Sequence, residues 1–157
     1  MNSSFDRTVG NETWLTPKWL LDLLGDFDLD PCCPENMPWG TAKSMYTELD
    51  NGLLREWVGR CWVNPPYGNE TGRWLEKCVL HGNCMALIFA RTETKMFFRY
   101  VWDRADAVLF ISGRLKFCRI DGSEADSAGA PSVLVAYGAE NVEMLRGLKI
   151  GKFIELK

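Results

Sequence analysis

The sequence predicts an α/β domain with a mostly parallel central sheet and helices on both faces. Two continuous apolar runs, Cys84–Ala90 and Ala107–Ile111, have the character of strands buried on both sheet faces. Between and around them lie segments with apolar residues at helical spacing: Lys18–Leu24, Thr71–Leu80 and Thr94–Trp102. The two kinds alternate along 157 residues, a length that suits one domain.

The elements follow in chain order. Residues 1–12 are polar and read as a frayed tail, so the domain is expected over 13–157. Thr16 and Pro17 read as the cap and first position of a helix, with Trp19, Leu20, Leu23 and Leu24 on its inner face and Gly25 as its stop. Phe27–Asp30 alternates like a short strand and breaks at Pro31; Pro31–Gly40 is a loop with three prolines. A weak strand is expected over Ser44–Thr47 and a turn over Gly52–Trp57. Arg60–Asn64 is a strand stopped by two prolines. Thr71–Leu80 turns Trp74, Leu75, Cys78 and Val79 inward, and Thr94–Trp102 turns Met96, Phe97, Tyr100 and Val101 inward. Arg114–Cys118 and Ser132–Tyr137 are expected as late antiparallel strands, with Ile120–Ala130 a polar, mobile loop between them. A short helix at Val142–Leu145 and a strand at Lys152–Leu156 complete the chain.

Composition excludes several classes. Apolar residues are 46% and charged residues 25%, too balanced for a disordered chain, a collagen-like repeat or a coiled coil. No apolar run approaches the ~18–20 residues of a membrane span, and the polar start has no signal-peptide core. No membrane partner is therefore expected. Six cysteines contain no CxxC, and His81 is the only histidine, so no metal site is expected. The thiols suit a reducing cytoplasm.

The net charge of −3 conceals an uneven distribution. Residues 20–56 carry a local −6, and residues 91–119 carry +4. The first suits a cationic small molecule and the second a polyanion; two solvated faces of opposite sign are the plainer alternative.

In a sheet of this kind ligands gather at the carboxyl ends of the strands. The residues there are Asp30-Pro31-Cys32, Asn64-Pro65-Pro66-Tyr67 and Ala90-Arg91-Thr92. In the second group, two prolines fix two φ angles and remove two N–H donors, leaving a rigid turn of outward acceptors. Asn64 adds a side-chain carbonyl and Tyr67 an aromatic face. Two acceptors beside a ring suit a planar group bearing an NH₂. A stiffened loop with a packed tyrosine fits the same four residues.

Asn64–Tyr67 after a strand resembles the motif of enzymes that methylate adenine N6, cytosine N4 or a glutamine amide. Further segments narrow the resemblance: Trp14-Leu15-Thr16-Pro17, Leu29-Asp30-Pro31-Cys32, Asp50-Asn51-Gly52-Leu53 with Trp57, Ala90–Thr94, Gly113–Phe117 and Pro131-Ser132-Val133. In this order, over about residues 11–137, they resemble the small phage-type DNA N6-adenine methyltransferases. The resemblance implies a Rossmann-like methyltransferase sandwich, S-adenosylmethionine as cofactor, and DNA as partner with the target adenine flipped out of the duplex. The host cytoplasm is the implied location. It also implies that Asn64, Pro65, Pro66 and Tyr67 are catalytic. Asp30, with Pro31 and Cys32, faces the cofactor ammonium, and Thr16 and Pro17 its carboxylate. Trp14 packs on the cofactor, and Asp50 accepts from its adenosine. Thr16 as a plain cap, Trp14 as core and Asp50 as a turn residue are the alternatives. Arg91, Arg114 and Lys116 suit phosphates, although ordinary surface charges read the same. Unlike many methyltransferases, this chain has no glycine after the first strand until Gly40. Cytosine N4 or a protein glutamine is the alternative acceptor, and an inactive nucleic-acid-binding module is the alternative of another class.

Overall fold

The apolar runs assemble into one sheet because each is too apolar to leave either face in water. In the computed structural model the described residues are 14–157; the expected tail over residues 1–12 lies outside them. Nine strands are present among these residues: β1 Leu29–Asp30, β2 Ser44–Met45, β3 Cys61–Val63, β4 Cys84–Phe89, β5 Ala107–Ile111, β6 Lys116–Cys118, β7 Glu124–Ser127, β8 Ser132–Tyr137 and β9 Gly151–Glu155. Seven form one sheet in the order β2-β1-β3-β4-β8-β5-β9, while β6 and β7 pair separately. The helices are α1 Lys18–Leu24, α2 Thr71–His81, α3 Lys95–Phe97, continued as a π-helical turn over Phe98–Trp102, and α4 Ala139–Arg146.

Side chains alternate across β4. Met85, Leu87 and Phe89 enter a core with Leu20, Leu21 and Leu24 of α1 and Val142 and Leu145 of α4. Cys84, Ala86 and Ile88 enter a second core with Trp74, Leu75 and Cys78 of α2 and Phe97 and Val101. Helices therefore cover both faces, as expected. No helix among the described residues is long and apolar enough to cross a membrane, no group of metal-binding side chains occurs among them, and no disulfide joins the six cysteines.

The mostly parallel sheet is corrected to a mixed one. β2, β1, β3 and β4 pair in parallel, but β4–β8, β8–β5 and β5–β9 are antiparallel. The connections explain this. After β5 the chain stays at the carboxyl edge, makes the β6–β7 hairpin, and re-enters between β4 and β5 with Ser132 opposite Phe89. Re-entry from the edge just left is antiparallel; a parallel entry needs a crossover of about a dozen residues to the far edge.

Three local expectations also change. Pro17, not Thr16, occupies the cap of α1, and no side chain caps it. Trp19 and Leu23, expected inward, are 48% and 44% exposed, because α1 turns Leu20, Leu21 and Leu24 to the core. Residues 120–130, expected as a mobile loop, supply β7. Its backbone is used up by β6 and by an Ala128 N–H bond to the Leu115 carbonyl (2.9 Å).

Candidate active site

The parallel strands end side by side, so the loops after β1, β3 and β4 meet at one edge. Asn64 follows β3 and stays half-buried. Its Nδ2 donates to the hydroxyl of Thr16 at 2.9 Å. Thr16 is 3% exposed, so this bond is shielded from water. With Nδ2 so used, the Oδ1 acceptor is turned away from Thr16. The side chain read as a helix cap thus orients the amide read as catalytic.

The prolines hold the turn, and Thr71 at the start of α2 locks it. The Thr71 hydroxyl donates to the Pro66 carbonyl (2.6 Å) and accepts from the Gly68 N–H (3.1 Å). Thr71 is 3% exposed. The Pro65 carbonyl receives no donor in the structure's hydrogen bonds among the described residues. Tyr67 stacks on Phe89, the last residue of β4, with centroids 4.2 Å apart and planes 3° from parallel. The Arg91 guanidinium lies 5.8 Å from the Phe89 ring centroid. A tyrosine plane, an amide and a carbonyl acceptor are thereby fixed beside an exposed cation.

Asp30 ends β1 and is 2% exposed. Thr41 donates its hydroxyl to Oδ2 at 2.6 Å, and the Cys32 N–H donates to Oδ1 at 3.1 Å. Burial pushes the carboxyl pKa up to about 6, against the lowering effect of these two donors. No cation pairs with it among the described residues. Beside it, burial and the Asp30 charge push the Cys33 thiol up to about 12, so that cysteine stays protonated. Strand register sets Leu29 opposite Cys61. Asn64 then lies two residues further along and one strand across from the Asp30 level, about 8 Å from it.

Gly52 closes the acidic side. A Cβ there meets the Pro31 carbonyl oxygen at 1.9 Å and the Trp74 ring at 3.3 Å. Only glycine lets the segment after β2 lie against the loop after β1. Trp57 donates its indole N–H to the Gly52 carbonyl (2.9 Å) and stacks on Trp74. Asp50 is carried to this place, but its Oδ2 accepts from the Thr47 N–H (2.9 Å) and hydroxyl (3.4 Å). Its role as a turn residue is the one these bonds support.

The remaining expected residues fall around the same edge. Pro17 is buried at the start of α1, and Trp14 packs on the α1 side of the core. Leu15 exchanges both backbone bonds with Cys118 of β6 (2.8 and 2.9 Å), which anchors the hairpin next to Thr16. Arg114 and Lys116 are exposed there. Arg114 donates to the Ala128 carbonyl (3.2 Å), and Lys116 lies 3.9 Å from Glu124. Trp39 donates its indole N–H to the Thr16 carbonyl (3.2 Å) and lies under the hairpin tip at Gly122.

Sequence reasoning missed Thr41, Thr71, Phe89 and Trp39. Thr71 had a local signal, a hydroxyl opening the helix just past the turn. Thr41 and Trp39 had none, because a proline-rich loop does not disclose where it folds back.

The comparisons agree with one another. The family model described as DNA N-6-adenine-methyltransferase (Dam) matches residues 4–144. A DNA N-6-adenine-methyltransferase of Haemophilus phage HP1 is 29% identical over 148 residues, covering 87% of this chain and 84% of the relative. No solved structure matches.

Proposed function

The chain belongs to the DNA N-6-adenine-methyltransferase family, and from that premise we propose how its residues transfer a methyl group to adenine N6. The Asn64–Tyr67 turn receives the amine, and the sheet edge at Asp30 would hold S-adenosylmethionine. One observation carries the reading: the Asn64 amide is oriented by the buried Thr16 hydroxyl while the Pro65 carbonyl keeps its acceptor capacity. We also read the seven-stranded sheet as the Rossmann-like methyltransferase sandwich, supported by five co-directional strands, β2, β1, β3, β4 and β5, with helices on both faces.

Adenine N6 is a poor nucleophile because its lone pair is delocalised into the ring. Asn64 Oδ1 and the Pro65 carbonyl accept its two hydrogens and draw the nitrogen toward a tetrahedral shape. These acceptors favour the positive charge that grows on the nitrogen, each by roughly 1.5–3 kcal/mol. Tyr67, its plane fixed by Phe89, packs on the base. Thr71 keeps the turn rigid, so the acceptors need no rearrangement during reaction. No cysteine takes part; Cys33 beside Asp30 is held protonated by burial. An adenine inside a duplex is out of reach of this turn, so the base is flipped out.

The residues at the acidic side fit the cofactor. A carboxylate only 2% exposed, with two donors and no cation among the described residues, is a site that a ligand ammonium completes. S-adenosylmethionine supplies an activated methyl on a sulfonium. Asp30 binds its ammonium, Pro31 and Cys32 shape the loop beside it, and Trp14 and Pro17 line the side near Thr16. Asp50, whose Oδ2 accepts from Thr47, caps the turn that carries Gly52 against Pro31 and would shape the adenosine end only through that segment. Arg91, Arg114 and Lys116 contact DNA phosphates. We place the enzyme in the cytoplasm of a host cell, a reducing compartment that suits a chain with six cysteines.

Incubation with labelled S-adenosylmethionine and DNA, followed by nucleoside analysis, tests the reading. The expected product is N6-methyladenine. N4-methylcytosine, or label in protein, overturns the assignment of the amine, and no transfer at all favours an inactive binding module.

A further inference from the structure

The exposed face of α1 lies beside a groove that the reaction does not use. The groove, about 670 Å³, is lined by Trp19, Ile111, Ser112, Lys149, Ile150 and Lys152, among others. Its floor is apolar and Trp19 on its wall is 48% exposed. Lys149 and Lys152 form no ion pair among the described residues, and no acidic side chain lines it.

Its position relative to the active site follows from the strands. Ile111 ends β5, which runs in the same direction as β3 and β4, and Gly151 pairs with Ile111. The groove is therefore at the carboxyl edge and wraps around it: Ile111 belongs to the sheet face that also carries Tyr67, while Phe110 and its strand partner Lys152 belong to the other. β3 and β5 are three strand spacings apart, about 14 Å. Trp19 follows Thr16 by three residues, and Thr16 holds Asn64. Ser112 and Gly113 connect the groove directly to Arg114.

We propose that this groove docks the flank of the substrate duplex, with Lys149 and Lys152 on phosphates and Trp19 against the sugar-phosphate wall or an end base. The proposal rests on the reading of the chain as an enzyme acting on duplex DNA. Charge complementarity favours a polyanion, because unpaired lysines alternate with apolar and aromatic surface. A separation of about 14 Å corresponds to about four base pairs at 3.4 Å each from the flipped adenine. Trp19 is then exposed because α1 presents one face to the core and another to the substrate.

A salt series of anisotropy titrations on a labelled duplex of about 20 base pairs tests this, with methylation of bulk DNA run in parallel. Each phosphate contact contributes about 0.9 to the slope of log K against log salt, so K149A/K152A flattens it by about 1.8. K157A is the control: Lys157 lies 3.6 Å from Asp106 at the opposite edge, and its slope should match wild type. Trp19→Ala should weaken binding about fivefold at each salt with little change of slope. A wild-type slope in K149A/K152A overturns the groove while methylation leaves the reaction standing. If the wild type shows neither salt-dependent duplex binding nor methylation, both readings fail. If the double variant turns a dimer into a monomer by sedimentation with the slope unchanged, a second copy occupies the groove and the DNA assignment is overturned.

Discussion

Replacing Asp30 by Asn removes a charge that the fold holds in an unfavourable place, and its effects on stability and on binding should oppose each other. The carboxyl pKa rises from 3.8 to about 6 because burial disfavours the ionised form. That interval is a little over two pH units, worth about 3 kcal/mol as an upper figure. The native state binds the proton more tightly than the unfolded chain. Stability from this group is therefore fully present below pH 3.8 and lost as pH rises through about 6. Asp30→Asn has no such loss. Denaturant unfolding of both proteins across this window should give a stability difference that moves toward the variant as pH rises. Cofactor binding should respond in the opposite sense. At pH 7.5 the variant lacks the charge for the ligand ammonium, and its affinity for S-adenosylmethionine by calorimetry should fall by tenfold or more. In the wild type, affinity should fall up to tenfold per pH unit below 6, because the carboxyl must give up its proton to pair with the cation. An unchanged affinity in Asp30→Asn removes Asp30 from the cofactor site, and a pH-independent stability difference refutes the burial account.

Four other perturbations follow. Asn64→Ala should abolish methyl transfer while cofactor affinity stays within a few-fold, measured by turnover and calorimetry. Thr16→Val should lower kcat about ten- to a hundredfold through loss of the 2.9 Å bond to Asn64, and Thr16→Ser should restore it; equal kcat in Val and Ser variants would show that the hydroxyl does not orient the amide. Gly52→Ala sets a Cβ 1.9 Å from the Pro31 carbonyl oxygen and should destabilise by roughly 3 kcal/mol in urea unfolding, with weakened cofactor binding. Lys116→Ala, whose amine is 52% exposed and 3.9 Å from Glu124, should flatten the salt slope of duplex binding by about 0.9 without altering cofactor affinity.

The order of local elements was legible in the chain because it depends on near neighbours. The buried strand at Cys84–Phe89 announces itself by six apolar residues, and two prolines stop the strand before them wherever it packs. The Asn64–Tyr67 turn was legible for the same reason: its stiffness is covalent. Its site was legible as far as strand ends are predictable, which placed Asp30, Asn64 and Arg91 at one edge.

What the chain did not disclose depends on residues far apart in sequence. The side chain of Thr16 reads as a helix cap from its neighbours, yet its hydroxyl serves Asn64, 48 positions on. Trp19 reads as core by spacing, but spacing gives a stripe and not its depth; packing turned Leu21 inward and left Trp19 in water. The antiparallel direction of β8 was expected from the chain and is observed, but its place between β4 and β5 was set by where an apolar strand finds two faces covered. Backbone stiffness and periodicity act locally, so the chain disclosed most strands and helices and the rigid proline turn at Asn64–Tyr67, although not β7 within residues 120–130. Which hydroxyl orients Asn64, how deeply Asp30 is buried and which face of α1 remains exposed all depend on contacts between segments that only the fold brings together.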